Sequence, residues 1–393
     1  MESYRFTENA SGELKRSERG FLYFVPDKLP PKLNLSGDLT RRFFETSVRL
    51  SRLDGRLDGI DENERLVLID AFSRKEAVYS SRIEGIRTDI EDTYKGEREV
   101  VRDPVKSSDL QEVLNYKEAL VSGIEDIGKG GEITLDLIRR LHGMLMRGAR
   151  GANMSPGMVR DAPVKVGQRW ESLEDAFFVP PLESYLDELL EDLFAYIREG
   201  SGNPLLDAAI AHYQFEVIHP FFDGNGRTGR LLIMLMLKKS GMMEHPFLYL
   251  SEYFNRRRKM YSNILFEVSS KGAFERWLGY FLNAVDSQIA SASKTIDLVS
   301  EYRSRLHRIS EGDRNLRLLC DMLFENPYVR VRDVTERLGV TDPTAQRLID
   351  ALSAAGVLSE EPGKRKGRLY KAEALLGILS DTDDSVDPLF QPT

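Results

Sequence analysis

Residues 231–237 form an uninterrupted apolar run, Leu-Leu-Ile-Met-Leu-Met-Leu, and the twelve residues before it hold three glycines, one asparagine, one aspartate, one histidine and two arginines. A run this short cannot cross a membrane, which takes ~20 apolar residues. With 30% charged and 41% hydrophobic residues, the chain has an ordinary globular composition. The run therefore predicts a helix buried on all sides, the innermost element of a soluble core. Its glycine-rich, charged prelude must then open at one end of that helix, where backbone amides are free to meet a ligand.

The remainder reads as helices around that core, and 393 residues correspond to two or three domains of ~100–200 residues each. Residues 1–20 are polar, without the apolar centre of a signal peptide, and read as a loose segment. Residues 23–31, with Pro26, Pro30 and Pro31, read as extended. Helical patterning begins near Leu39 and runs to about Ile90. Within it Leu66, Ile69, Phe72, Ala77 and Val78 recur at three- and four-residue spacing over Glu62–Ile83. Asp61 is the expected N-cap, with Glu64 completing a capping box, and Gly85 is placed to end the helix in a left-handed turn. Residues 94–107 read as a charged connection. Helix resumes at Asp109 and continues, with breaks, to about Ser291, with Thr134 capping one segment (134–146) and Leu206, Ile210, Tyr213 and Val217 marking another. Residues 157–170 differ: Val164 and Val166 alternate around Lys165 and close at Gly167, a hairpin signal. No repeats and no other sheet are predicted before the C-terminal region.

A polar stretch, 294–314, precedes a compact C-terminal pattern. Leu316, Leu319 and Leu323 start a helix, residues 331–338 a second, and residues 343–355 a third, with Gly339 in the turn between the last two. Residues 357–370 enclose a basic turn (Lys364, Arg365, Lys366, Arg368) between apolar flanks. Helix, turn, helix and a small β wing make a winged helix-turn-helix pattern. From 313 to 371 there are eleven basic and nine acidic residues, a slight surplus for a DNA reader. Such a module also serves for protein docking or as a homodimer contact. The whole chain carries a net charge of −8, which argues against a general nucleic-acid coat. A single cysteine, Cys320, excludes a disulfide framework and a Cys-rich zinc module. A cytoplasmic, membrane-free protein is expected.

The chemistry concentrates in His219-Pro220-Phe221-Phe222-Asp223-Gly224-Asn225-Gly226-Arg227-Thr228-Gly229-Arg230. Backbone amides at a glycine-rich helix start form an anion nest, reinforced by the helix dipole. Arg227 and Arg230, three apart, share one face of the first turn and could clamp a polyphosphate. Asp223 is suited to hold Mg²⁺ against phosphate oxygens. His219 is the group near neutral pKa that can take a proton from an incoming hydroxyl. Base, metal ligand and phosphate cradle within twelve residues indicate a nucleotide-dependent transferase. Gly224 to Gly229 also satisfies G-x-G-x-x-G, but that dinucleotide fingerprint needs a preceding strand, and helical spacing precedes it here. A P-loop would need Lys-Ser/Thr after its second glycine, and a mere helix cap would leave the two arginines and the aspartate unexplained.

These residues resemble the signature of the Fic (Fic/DOC) family, H-x-F-x-(D/E)-G-N-G-R-x-x-R, at every fixed position. The resemblance implies a protein adenylyltransferase that moves AMP from ATP to a Ser, Thr or Tyr hydroxyl of a target protein, or of itself. It makes His219 the general base and Asp223 the Mg²⁺ ligand. It makes Gly224, Asn225 and Gly226 the anion hole, with Thr228 and Gly229 completing the nucleotide-binding turn. Arg227 is implied at the β-phosphate, Arg230 at the γ-phosphate, and Phe221 as the buried aromatic anchoring the loop. Upstream, Ser80, Glu84 and Gly85 resemble the family's inhibitory motif (S/T)-x-x-x-E-(G/N), which implies a carboxylate paired with Arg230 where the γ-phosphate should sit. The resemblance also implies a β-hairpin flap over residues 158–168 that clamps the target, and Tyr261 near the adenine, where a buried core tyrosine is an equal reading. His142 reads as a core histidine, and His212 lacks the further ligands of a zinc site.

The expected architecture is thus mostly α: an N-terminal helical region with the inhibitory helix (1–120), a Fic catalytic core with a β-hairpin flap (121–295), a winged helix-turn-helix (313–378) and an acidic tail (379–393). The alternatives are a nucleotide-sensing, DNA-binding regulator, or a Fic enzyme that removes AMP or transfers another phosphate-containing group.

Overall fold

The computed structural model describes residues 1–148, 154–167, 172–362 and 367–380. Strands β1 (Gly12–Arg16) and β2 (Leu22–Pro26) precede α1 (Gly37–Asp58), α2 (Glu62–Ile83), α3 (Ile90–Gly96), α4 (Pro104–Gly128), α5 (Leu135–Leu145), α6 (Leu186–Glu199) and α7 (Pro204–Ile218). Then come α8 (Asn225–Lys239), α9 (Leu250–Arg256), α10 (Arg258–Lys271), α11 (Phe274–Ile309) and α12 (Arg314–Glu325). The chain continues with β3 (Tyr328–Val329), α13 (Val331–Leu338), α14 (Asp342–Ala354), β4 (Ser359–Glu360), β5 (Tyr370–Lys371) and α15 (Glu373–Ser380). The protein is mostly helical, as expected. It divides into two compact units: Met1–Gly59, Phe72–Thr88 and Arg102–Ile289 form the first, and Ile60–Ala71, Asp89–Val101 and the described residues from Ala290 onward form the second.

In the first unit the apolar run lies in α8, and every residue from Leu231 to Leu237 is buried. α8 packs against α4, α5 and α7. Gly123 on α4 makes the approach close: a Cβ there would stand 2.9 Å from Leu235 Cδ2 and 3.0 Å from Leu141 Cδ1. α7 starts where Asn203 accepts a hydrogen bond from the Leu206 amide (3.2 Å), with Pro204 in its first turn. Thr134 caps α5 as expected, accepting from the Leu137 amide.

Several boundaries differ from the sequence reading. The N-terminal residues are not loose: β1 and β2 pair antiparallel, Gly12 facing Pro26 and Arg16 facing Leu22. β1 carries a single large apolar residue, so its order comes from backbone pairing and leaves no hydrophobic period to read. Helix α4 begins five residues before Asp109, because Asp103 accepts from the Val105 and Lys106 amides and Pro104 fits the first turn. The polar stretch 294–314 is largely the C-terminal part of α11, whose Ala292, Ile296, Val299, Tyr302 and Leu306 form a buried stripe under an exposed polar face. Asp61 does accept from the Glu64 amide (3.3 Å), whereas the Glu64 carboxylate turns to Ser300 and Arg303 instead of closing a capping box. The flap region shows one antiparallel bridge, Val166 to Phe178, with hydrogen bonds of 2.8 and 3.1 Å; Gln168 and Trp170 of the expected hairpin lie outside the described residues.

The second unit holds three C-terminal helices at the expected places, α12, α13 and α14, with Gly339 left-handed (φ 66°) between the last two. Strands β3, β5 and β4 form an antiparallel sheet in that order. The Asn326 amide group donates to the Tyr94 carbonyl and the Glu97 carboxylate (3.0 Å each), which fastens α3 to this unit. Lys364, Arg365 and Lys366 of the basic turn, and residues 381–393 of the expected acidic tail, lie outside the described residues.

Candidate active site

Helix α7 ends at His219, whose backbone is left-handed (φ 52°), a conformation unusual for a residue with a side chain. A buried arginine, Arg160, over-determines that turn. Its guanidinium donates to the carbonyls of His219 (2.8 Å), Ile218 (3.3 Å), Pro181 (2.6 Å) and Ala162 (3.1 Å), and its amide to Pro220 (2.9 Å). The His219 ring lies 3.1 Å by Nδ1 from the Glu216 carbonyl, which can only accept, so Nδ1 carries the proton and Nε2 keeps its lone pair. Burial, against the pull of the Glu216 carbonyl, brings the His219 pKa down to about 4, and the ring is neutral at pH 7.

The loop that follows is held from both sides. Asn225 uses its whole amide group on Phe221, accepting from the Phe221 N–H (2.9 Å) and donating to its carbonyl (2.8 Å). Phe221 is fully buried and stacks on His142, centroids 3.8 Å apart and planes 4° from parallel. His142 is more than the core residue the sequence suggests. Its Nδ1 accepts from the Gly157 amide (2.8 Å), so Nε2–H donates to the Asp223 carbonyl (2.9 Å), and the neutral ring ties residues 157 and 223 together. Gly224 (φ 78°) must lack a Cβ, which would stand 2.8 Å from Met146 Sδ and 3.2 Å from His142 Nε2. The Thr228 hydroxyl donates to the Gly224 carbonyl (2.9 Å). Asp223 is exposed, with Oδ1 accepting from the Gly224 amide (2.7 Å).

The two arginines of the first turn of α8 diverge. Arg230 turns towards α2: Nε donates to Ser80 Oγ (2.9 Å), and Nη2 donates to the Ser80 carbonyl (2.9 Å) and to Glu84 Oε1 (2.7 Å). The Glu84 carboxylate lies against Gly226, where a Cβ would collide with it. Gly85 follows with φ 88° and ends the helix, as expected. Burial alone would raise the Glu84 pKa, but the Arg230 guanidinium outweighs it and holds the carboxyl below its usual range. Burial would likewise lower Arg230, and Glu84 reverses that and raises it. Arg227 instead points into the core, where it pairs with Glu112 (2.9 Å) and touches Met146 Sδ (3.5 Å).

Glu84, Glu216, His219, Gly226, Arg230 and Tyr261 line one cavity of about 920 Å³, with Val166, Phe177, Phe178 and Phe266 on its apolar wall. Tyr261 is buried; its ring stacks on Phe254 (4.6 Å) and its hydroxyl is hydrogen-bonded to His212 Nε2 (2.6 Å), a ring that burial brings down to about 3. Sequence reasoning brought neither Arg160 nor Glu216 forward. Asp223 sits beside the loop without lining the cavity. A single exposed carboxylate next to a glycine-rich helix start fits Mg²⁺, which takes one or two carboxylates and draws its other ligands from phosphate and water. Among the described residues no cluster of three or more His, Cys, Asp or Glu makes a protein cage for a metal.

A "Protein adenylyltransferase fic-1" of Caenorhabditis elegans is 35% identical over 113 residues, which is 28% of this chain and 20% of that protein. A "Protein adenylyltransferase Fic" of Nematostella vectensis is 31% identical over 135 residues, 34% of this chain and 28% of that protein. The match thus spans between a fifth and three tenths of these relatives' length. The crystal structure of a Fic family protein from Desulfovibrio desulfuricans superposes with a TM-score of 0.55 at 20% identity, covering 87% of this chain and 98% of that one. Residues 132–237 match the Fic/DOC family model and residues 41–125 match its N-terminal companion. By these two adjoining matches, residues 41–125 and 132–237 of the chain match the Fic/DOC family.

Proposed function

We propose that this chain is an autoinhibited protein adenylyltransferase that uses ATP and Mg²⁺. The observation that carries the reading is a neutral His219 with a bare Nε2, in one cavity with Gly226 at the start of α8 and with an Arg230 occupied by Glu84. The hydroxyl oxygen of a Ser, Thr or Tyr side chain attacks the α-phosphorus of ATP. Its proton passes to His219 Nε2, the bond to the β-phosphate's bridging oxygen breaks, and pyrophosphate leaves. The amides at the start of α8 receive the phosphate charge, and Arg230 receives the γ-phosphate once Glu84 withdraws. Arg227 reaches the β-phosphate region only by leaving Glu112. Asp223 would hold Mg²⁺, which neutralises phosphate charge when bound. An extended target segment would pair its main chain beside the Val166–Phe178 bridge.

The same reading takes residues 1–120 as the inhibitory region, 121–295 as the catalytic core and 313–378 as a winged helix. What supports the last is the order of α12, α13 and α14 with the β3-β5-β4 sheet. Arg332, Arg337, Arg368 and Lys371 pair with Glu336, Glu325, Glu360 and Glu361, which favours docking of a protein or a second copy over DNA contact.

The test is the intact mass of the full chain after incubation with ATP and Mg²⁺. An added AMP is expected, and His219→Ala should lose it while its affinity for ATP changes less than about threefold, since a general base contributes ~10²–10⁴-fold to turnover and not to the phosphate cradle. Self-modification of His219→Ala at the wild-type rate would show that the chemistry lies elsewhere.

A further inference from the structure

Arg256, Arg257, Arg258 and Lys259 follow one another where α9 gives way to α10, and none of them takes part in the chemistry assigned to residues 219–230. Two have local partners: Arg256 pairs with Glu252 (2.8 Å), and the Arg257 guanidinium lies over the Tyr253 ring, 4.1 Å from its centroid. Arg258 and Lys259 are exposed and make no hydrogen bond or ion pair among the described residues. Helix stability does not account for them, since they open α10 and the start of a helix favours acidic side chains over basic ones. Both line the cavity that holds His219, Gly226 and Arg230.

The charge of Arg258 is felt where the Glu84 carboxylate sits. Burial would raise the Glu84 pKa, and Arg230 first, then Arg227 and Arg258, pull it below its usual range. Any anion that replaces this carboxylate at Arg230 meets the same field, and a phosphate, carrying more charge, meets it more strongly. Two of the three arginines are already committed: Arg230 to Ser80 and Glu84, and Arg227 to the buried Glu112. Arg258 is the one of the three that can turn to an incoming phosphate without breaking a bond, and its exposed position at the cavity leaves it open to a ligand from solvent.

We infer that Arg258 is a further phosphate-binding residue of this cavity, joining Arg230 on the terminal phosphate of the nucleotide that displaces Glu84, an inference that rests on the nucleotide-binding reading above. The test is calorimetric binding of ATP, ADP and AMP, with Mg²⁺ and at low ionic strength, to the full-length Glu84→Gly protein alone and with Arg258→Gln or Arg258→Lys. Glu84→Gly removes the competing carboxylate, and a substitution at the exposed, unbonded position 258 leaves the fold undisturbed. Arg258→Gln is expected to weaken ATP about two- to fivefold, the worth of an exposed charge pair, and to leave AMP nearly unchanged. Arg258→Lys, which keeps the charge, should recover most of the loss, and added salt should shrink the difference between Arg and Gln. Unchanged ATP affinity in Arg258→Gln overturns the inference and leaves the nucleotide reading standing, even where transfer falls, because Arg258 would then serve the target. An equal loss for ATP and AMP also overturns it, since the group would then act on a part the two ligands share. Failure of the Glu84→Gly protein to bind any of the three overturns both readings.

Discussion

Glu84 offers the sharpest lever on this protein. Arg230 makes three hydrogen bonds to α2, of which one, at 2.7 Å, goes to the Glu84 carboxylate. Two unit charges at that distance attract by ~6 kcal/mol at an effective dielectric of 20. The Glu84 side chain is 36% exposed, so solvent screens a good part of this. What remains is the net worth of a hydrogen bond between charged groups, ~1.5–3 kcal/mol. A γ-phosphate that needs Arg230 must overcome that amount, which corresponds to about 10–100-fold in occupancy of the productive state. Glu84→Gly leaves both Ser80 bonds in place and is expected to raise AMP incorporation into the chain by about that factor. Adding Arg230→Ala should cancel the gain, because the freed group is then missing. The assay is incorporation from labelled ATP by wild type, the single and the double variant. Equal incorporation by wild type and Glu84→Gly would refute the inhibitory role of the pair.

Three further outcomes are expected. Asp223→Ala should lose Mg²⁺-stimulated turnover while thermal stability stays within a few degrees, since the carboxylate is exposed and bonded only to the adjacent Gly224 amide; equal activity with and without EDTA would count against the role. Burial holds His219 at about 4, so the base is neutral over the physiological range; turnover of Glu84→Gly should stay level from about pH 8 to about pH 5 and fall as pH approaches 4, and a fall centred near 6.5 would contradict this. Glu216 is raised from the ordinary 4.5 to about 7, so its folded form opposes ionisation: the penalty is small below the unfolded value and full once pH rises through 7. Glu216→Met should therefore raise Tm by roughly 2–4 °C at pH 8 and by less at pH 5, and a larger gain at pH 5 would reverse the assigned sign.

Much of the site was legible because its residues are adjacent in the chain. The histidine, the glycine turn and the apolar helix behind it occupy residues 219–237, and their order alone implies a loaded loop on a buried helix. The Arg230–Glu84 pair joins residues 146 positions apart and was reachable only through the family's inhibitory motif. Arg160 stayed silent because its partners are four backbone carbonyls, which carry no side-chain pattern. His142 was half-read: its apolar helix face placed it in the core, while the amide and carbonyl it bridges come from two loops. Glu216 resembles any charged residue on a helix until the cavity around it exists. The divergence of Arg227 from Arg230 has the same origin, since a buried Glu112 on α4 competes for the guanidinium. Strand β1 and the continuation of α11 show the limit from the other side, because polar segments there gain their order from backbone partners and from one narrow apolar stripe.

The central claim, AMP transfer governed by His219 and released from Glu84, is tested most directly by asking which phosphorus of ATP stays on the protein. Glu84→Gly is incubated with Mg²⁺ and ATP labelled either at the α- or at the γ-phosphate, beside the same variant carrying His219→Ala. The account predicts that the α label is retained, that the γ label leaves with pyrophosphate, and that the His219→Ala protein retains neither. Retention of the γ label with loss of the α label, or α labelling undiminished by His219→Ala, would contradict it.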